Sequence, residues 1–313
     1  MNLRTAFGAA VGAVGGAVLG NRLLTVRAGD LDNPLPGVER TYRWRGMDVT
    51  YTVAGEPDAP DLLLLHGIHA AASSYEFEPI FEQLAERFRV IAVDLPGFGR
   101  SDRPPLVYSP GLYTEFVRDF ASDITETPIV IASSITGSFV VDAASETDFE
   151  RLFLVCPTAD TSDDKTWLRT LIRTPVLGTT LFNLLTSKRS LRYFFDREGY
   201  YDSTNIDDEE VDYAWRSAHQ PGARYAPASF ASGTLDPDFD VQTELASLEI
   251  PVTLVWGRDA ELLPLRDGRD LADAADLDLV VIDYATLLPH AEHPETFLEY
   301  LEAELPEAEQ REC

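Results

Sequence analysis

Short runs of apolar residues recur along the chain, each closed by small or turn-forming residues. Leu62–Leu65, Val90–Val93, Pro128–Ala132, Leu152–Cys156, Val252–Trp256 and Leu279–Ile282 are mainly apolar, without an alternating polar face. A strand buried on both sides needs such a run. Between them, Glu78–Arg87 and Tyr113–Ile124 place apolar residues at helical spacing. Ahead of them, Thr41–Trp44 and Met47–Val53 predict a hairpin across Arg45-Gly46. Strand–helix alternation over this length predicts an α/β fold: a mostly parallel central sheet flanked by helices.

The alternation stops between Cys156 and Pro251. Helical patterns over Trp167–Arg173, Val176–Thr186 and Glu209–Ala218 replace it, and no convincing strand pattern appears. Residues 157–250 are therefore expected to form a helical cap over one edge of the sheet. Trp167, Phe182, Tyr193 and Trp215 are its expected apolar contributors. The core is assigned to 40–156 and 251–304, with an acidic tail over 305–313.

The N-terminus follows another pattern. Thr5 to Asn21 carries no charge, Arg4 and Arg22 flank it, and Gly8, Gly12, Gly16 and Gly20 recur at every fourth position. On a helix these glycines form one stripe, a small-xxx-small surface that lets membrane helices approach closely. Seventeen residues at about 1.5 Å rise span roughly 25 Å, the short end of a spanning helix. Residues 1–29 are expected to be a glycine-striped helix. Residues 5–21 would hold the chain at a membrane, and the stripe would assemble copies of it. A cleaved signal peptide and a soluble leader are the rival readings, the latter leaving the chain cytoplasmic. Residues 30–39, including DLDNPLPG from Asp30 to Gly37, read as a linker.

Charge changes the picture of the surface. The chain has 53 acidic and 25 basic residues among 313, a formal charge of −28, and its only lysines are Lys165 and Lys188. The acids are spread along the whole length, as on a solvated surface adapted to salt, where screening reduces self-repulsion. Nucleic acid is not an expected partner, because phosphate affinity comes from clustered Lys and Arg. Cys156 and Cys313 cannot make a disulfide framework. No metal-ligand spacing appears and no cofactor is expected.

The candidate chemistry lies where the apolar runs end. His66-Gly67-Ile68-His69 follows the first, Asp94-Leu95-Pro96-Gly97-Phe98-Gly99-Arg100-Ser101-Asp102 the second, and Ala132-Ser133-Ser134-Ile135-Thr136-Gly137 the third. Together these resemble the lidded branch of the α/β-hydrolase fold, over about residues 40 to 304. The resemblance implies a nucleophile elbow, usually G-x-S-x-G, at which Ser134 stands and Ala132 and Thr136 replace the glycines. The bulkier, β-branched Thr136 is expected to tighten or displace that elbow. The resemblance also implies an oxyanion hole from the Ile68 and Ile135 amides.

A serine hydroxyl needs a base, and in this fold the acid and the histidine follow the serine in chain order. In Trp256-Gly257-Arg258-Asp259-Ala260, Ala260 stands at the acid position and Asp259 one residue early. In the loop from Tyr284 to Pro294, Pro289, His290, Glu292 and Pro294 match the family's register and put Leu287 at the base position. In a serine triad, loss of the base costs about 10⁶ in turnover. Among the five histidines, His66 and His290 are expected to be structural and His293 to face solvent. His69 borders the oxyanion loop, and His219 sits in the cap. These two are the candidates for a replacement base and, with Leu287, for contact with ligand. Asp160 is a candidate acid.

Three functions follow: a weak or non-standard serine hydrolase of a small apolar ester-like substrate, a pseudo-hydrolase that binds a small molecule or protein without turnover, and a membrane-associated scaffold.

Overall fold

The structure is a computed structural model that describes residues 3–161 and 165–305, with side chains from residue 14 onward. The acidic tail, apart from Leu305, and Cys313 lie outside the described residues.

Eight strands form one sheet in the order β1-β2-β4-β3-β5-β6-β7-β8. They are β1 (Val38–Trp44), β2 (Met47–Ala54), β3 (Asp61–Leu65), β4 (Arg89–Val93), β5 (Ile129–Ser133), β6 (Arg151–Val155), β7 (Val252–Gly257) and β8 (Asp278–Ile282). β1 and β2 pair antiparallel, β2 pairs antiparallel with β4, and all other pairings are parallel. The helices, in chain order, begin with α1 (Leu3–Ala28), α2 (Glu78–Ala85), α3 (Pro110–Ile124) and α4 (Ile135–Ala143). The cap holds α5 (Thr166–Arg173), α6 (Leu177–Leu185), α7 (Lys188–Phe194), α8 (Asp208–Ala218), α9 (Tyr225–Phe230) and α10 (Val241–Ser247). After β7 come α11 (Leu265–Ala275), α12 (Pro289–Glu292) and α13 (Pro294–Glu304). Among the described residues of 157–250 there is no strand.

The central strands are apolar on both faces because each face meets its own core. Leu63 and Leu65 of β3, with Val130 and Ala132 of β5, pack toward Tyr113, Phe116 and Phe120 of α3 and Phe139 of α4. Leu62, Leu64, Ile129 and Ile131 point the other way, onto Ile80, Phe81 and Leu84 of α2 and Phe297 and Leu301 of α13. Burying one such side chain is worth about 1.5–3 kcal/mol. A register slip of one residue would exchange the two faces and break both cores.

The cap has its own apolar cluster, which includes Phe182 and Trp215. Trp167 and Tyr193, expected to contribute, stand 66% and 67% exposed instead. Each lies on the outward side of its short helix, and a short helix can bury only one side.

The N-terminal helix differs from expectation in its setting. It continues past Asn21 to Ala28, and its C-terminal half is docked on the cap. Asn21 Nδ2 donates to the Val176 carbonyl at 3.3 Å and to Thr180 Oγ1 at 3.0 Å, and Asn183 Nδ2 donates to Asn21 Oδ1 at 3.0 Å. Leu24 and Ala28 join the cap's apolar cluster, and Arg216 Nε caps the Ala28 carbonyl at 3.0 Å. No helix of the described residues is long and apolar enough to cross a membrane. More than half of the expected 5–21 anchor, with Gly8 and Gly12, lies ahead of residue 14, outside the residues whose side chains are described.

The segment read as a linker is tied down as well. Asn33 Oδ1 accepts from Arg100 Nη1 at 2.8 Å and from Thr52 Oγ1 at 2.8 Å. Arg100 in turn pairs through Nε with Asp94 at 2.7 Å, the two side chains being 4% and 0% exposed. Asp94 also accepts from the Ser74 and Arg100 amides at 2.8 and 3.0 Å. Burial opposes its charge, but Arg100 and these amides outweigh burial and hold its pKa below the ordinary carboxylate value. Asp94→Ala strands a buried guanidinium and should lower unfolding stability by about 3–5 kcal/mol. The exposed pair Arg43–Asp48 is the control: Arg43→Ala should change stability by less than about 1 kcal/mol. Denaturant midpoints at matched salt measure both.

Candidate active site

The site is assembled at the C-terminal ends of the parallel strands, where open α/β sheets bind ligands. Ser134 follows β5 directly and caps α4 with φ 55° and ψ −137°. This is a backbone conformation that a side chain adopts only under strain. Three contacts hold it. The Ser134 amide donates to the Val155 carbonyl at 2.9 Å, and the Ser134 carbonyl accepts from the Gly137 amide at 3.0 Å. Thr136 Oγ1 donates to the His66 carbonyl at 2.8 Å. Thr136, expected to tighten or displace the elbow, is thus fully buried and uses its hydroxyl to tie the elbow to the His-Gly turn. Gly137 leaves room for Pro157, whose Cβ would stand 3.2 Å from an added methyl.

His66 holds the other side of that turn. Its Nε2 accepts from the Leu95 amide at 3.1 Å, which leaves Nδ1 to donate to the Gly67 carbonyl at 2.6 Å. Burial lowers its pKa, so the ring is neutral and structural. The Ile68 and Ile135 amides donate to no described residue. Gly67 is different: its amide donates to Glu76 Oε2 at 2.9 Å.

Glu76 is the residue that sequence reasoning missed. Its side chain is 7% exposed, and Oε1 stands 3.4 Å from His290 Nε2, out of line for a hydrogen bond. Burial works against its charge, but His290 and the Gly67 amide outweigh burial and keep its pKa below the ordinary value. It is close to the serine. A Cβ added to Gly67 would stand 3.3 Å from Ser134 Cβ and 3.5 Å from Glu76 Oε2. No single-sequence motif signals this pairing, because Glu76 and His290 belong to segments at opposite ends of the core.

A cavity of about 120 Å³ opens onto Ser134. Ser133, Cys156 and Gly67 line its floor, Phe194, Phe195 and Phe230 of the cap its roof, and Leu262, Leu287 and Leu288 its side. His69 and Glu76 are the only titratable side chains in its wall besides Cys156, whose thiol burial pushes up to about 12. No described side chain hydrogen-bonds the Ser134 hydroxyl. Leu287 lines the cavity, and Ala260 is buried.

The two replacement bases differ in place. His69 lines the cavity, but its Nδ1 accepts from the Ala71 amide at 3.3 Å, which assigns the ring proton to Nε2. Burial lowers its pKa to about 4, so it is a neutral hydrogen-bond donor there. His219 does not line the cavity: it stacks on Trp215 at 4.5 Å and its Nδ1 meets the Trp215 carbonyl at 2.7 Å. The cap turns it inward among its own helices. Asp160 is exposed and does not line the cavity, because the chain leaves β6 away from it. His293, expected to face solvent, is half-buried and its Nε2 reaches the Tyr284 carbonyl at 2.8 Å.

A second cavity, of about 210 Å³, shares His69, Glu76, Phe195 and Leu288 with the first. It is lined by Tyr75, Tyr200, Tyr213, Glu78, Asp207 and Glu210 as well. Tyr200 OH donates to Glu210 Oε1 at 3.0 Å. Burial, together with repulsion from Asp207, Glu76 and Glu78, pushes the Glu210 carboxyl up to about 7 against the bond from Tyr200.

Eight mostly parallel strands, an elbow serine and a helical roof define an α/β hydrolase. The Alpha/beta hydrolase family matches residues 62–300, and the chain belongs to it. Among curated proteins it is similar to the uncharacterized hydrolase YugF of Bacillus subtilis, 22% identical over 280 residues, covering 84% of this chain and 96% of that one. It is also similar to the 2-hydroxy-6-oxo-6-(2'-aminophenyl)hexa-2,4-dienoic acid hydrolase of Metapseudomonas resinovorans, 24% identical, covering 83% and 88%. Among solved structures, a bacterial membrane phospholipase A superposes with a TM-score of 0.68 at 19% identity, covering 96% of this chain and 94% of that one. At that identity the superposition speaks for the fold alone.

Glu210 has a consequence for stability. Its folded pKa of about 7 lies above the ordinary glutamate value of 4.5, so the folded state binds the extra proton. The stability this group contributes is fully present below the unfolded value and is lost as pH rises through the folded one. Glu210→Gln should therefore raise the melting temperature at about pH 8.5 and leave it nearly unchanged at about pH 4.5, as read by calorimetry at both values.

Proposed function

We propose that the Ser134 cavity binds a small, largely apolar ligand bearing a carbonyl or ester group, and that ester turnover there is slow. One observation carries this reading: among the described residues no side chain hydrogen-bonds the Ser134 hydroxyl and none accepts from the Ile68 or Ile135 amide, while the cavity wall is mostly apolar. Leu287 and Ala260 supply neither proton acceptor nor acid. Glu76 does not replace them, since a carboxylate held below its ordinary pKa is a poor match for a general base near neutrality. His69 supports binding as a donor from Nε2. A protein that binds without turnover lies at the end of the same reading.

The assay is hydrolysis of p-nitrophenyl acetate and butyrate, in molar salt because of the −28 charge. Parent turnover should fall far below the roughly 1–10³ s⁻¹ of ordinary enzymes. The pair Ala260→Asp with Leu287→His should raise it by about 10²–10⁴-fold, the usual contribution of a positioned acid–base group. A fast parent that Ser134→Ala abolishes would overturn the proposal.

A second element of the reading concerns the surface. Val18, Leu19, Leu23 and Val26 of α1 and Leu177, Leu184 and Leu185 of α6 are exposed, and α1 packs against α6. This supports attachment of the two helices to a lipid surface from one side, without a span. Flotation with liposomes should carry the parent upward and leave the variant Leu19→Ser, Leu23→Ser, Leu184→Ser behind. Equal behaviour of the two refutes attachment. A dimer in lipid-free solution that the triple variant dissociates would give the face to a second copy instead.

A further inference from the structure

The second cavity has a chemistry of its own. Aromatic rings and carboxylates line one space, and neither Lys nor Arg is among the residues that line it. Tyr75 and Tyr213 stand 5.0 Å apart at 34°, and Phe195 and Tyr200 meet edge to face at 6.3 Å and 82°. The faces of such rings attract cations, most strongly where water is excluded. Glu76 adds a carboxylate to the wall, with a side chain 7% exposed and its Oε1 turned toward His290.

We propose that this cavity is a binding site for an organic cation, a substituted ammonium group held between the tyrosine rings and the carboxylates of Glu76 and Glu210. The carboxylates do not converge on a point: among the described residues, no group of three or more His, Cys, Asp or Glu is placed to hold a metal ion. A bare metal ion needs such convergence. An ammonium with carbon substituents does not, because it spreads its charge over several ring faces. The volume of about 210 Å³ admits a headgroup the size of choline.

The two cavities meet at His69, Glu76, Phe195 and Leu288. A ligand with an ammonium head and an apolar acyl body therefore spans both, the head in the acidic cavity and the carbonyl beside Ser134. This extension rests on the Ser134 cavity binding a carbonyl ligand; the cation site itself does not.

The test uses the full chain and calorimetric titration, with choline chloride replacing potassium chloride at constant ionic strength. Choline should bind at least ten times more tightly than 3,3-dimethylbutan-1-ol, its uncharged isostere. Glu210→Gln, and independently Glu78→Gln on the exposed rim, should each weaken choline several-fold and leave the alcohol unchanged. Equal affinity for choline and the alcohol overturns the proposal. So does a signal that potassium alone reproduces, which would mark a general salt effect. Butyrylcholine separates this proposal from the previous one. If it binds tighter than choline, both cavities are engaged. If it binds no tighter, the cation site stands and the carbonyl reading of the Ser134 cavity fails.

Discussion

Asp94 is a carboxylate with no exposure to water, and the upper edge of the sheet is organised by the need to satisfy it. Arg100 answers the charge, and the Ser74 amide fills the remaining acceptor. Arg100 extends to Asn33, Thr52 and Glu39, so a single pair fixes the N-terminal crossing, the second strand and the turn after the fourth. The turn is tight enough that a side chain on Gly99 would overlap Asp94, with contacts at 2.2 Å. Because that turn is fixed, Leu95 presents its amide to His66. His66 in turn presents its carbonyl to Thr136 of the elbow. The geometry around Ser134 descends from one buried ion pair through two neutral hydrogen bonds.

The elbow holds a strained backbone at Ser134. A left-handed backbone at Ser134 costs on the order of 1–3 kcal/mol, and the surroundings hold it there. Ala260 is buried and Leu287 stands in the cavity wall. A carboxylate beside Leu287 would be buried without a counter-charge at a cost of several kcal/mol.

Polarity is instead concentrated one cavity away. Glu76 stands at the junction: one oxygen takes the amide of Gly67, and the other faces His290 without a hydrogen bond. It links the turn beside Ser134 to the acidic, ring-lined space beneath α8. The cap supplies the roof of the first cavity and, through Tyr200, Glu210 and Tyr213, much of the wall of the second. Ligand preference in both therefore depends on how the cap is seated. Its seating rests partly on α1, which bonds to α6 through Asn21 and is capped by Arg216 of α8.

The order of the strands' apolar runs, the helical interruption after Cys156 and the turn at Ser134 could be read from the chain. They depend on local rules: burial on both faces demands an unbroken apolar run, a sharp turn demands small residues, and a loop's register follows from spacing. Contacts between distant segments could not be read. Nothing in the order of residues joins Glu76 to His290, lets Thr136 spend its hydroxyl on His66, or turns His219 toward Trp215 and away from the serine. Burial was likewise undecided for the cap. Phe182 and Trp215 went inside while Trp167 and Tyr193 stayed out, because which side of a short helix is covered depends on its neighbours. The first helix marks the boundary most clearly. Its sequence made a helix with a glycine row, and only the packed cap decided that its second half lies against protein, since Asn21 finds its hydrogen-bond partners there and nowhere in its own turn.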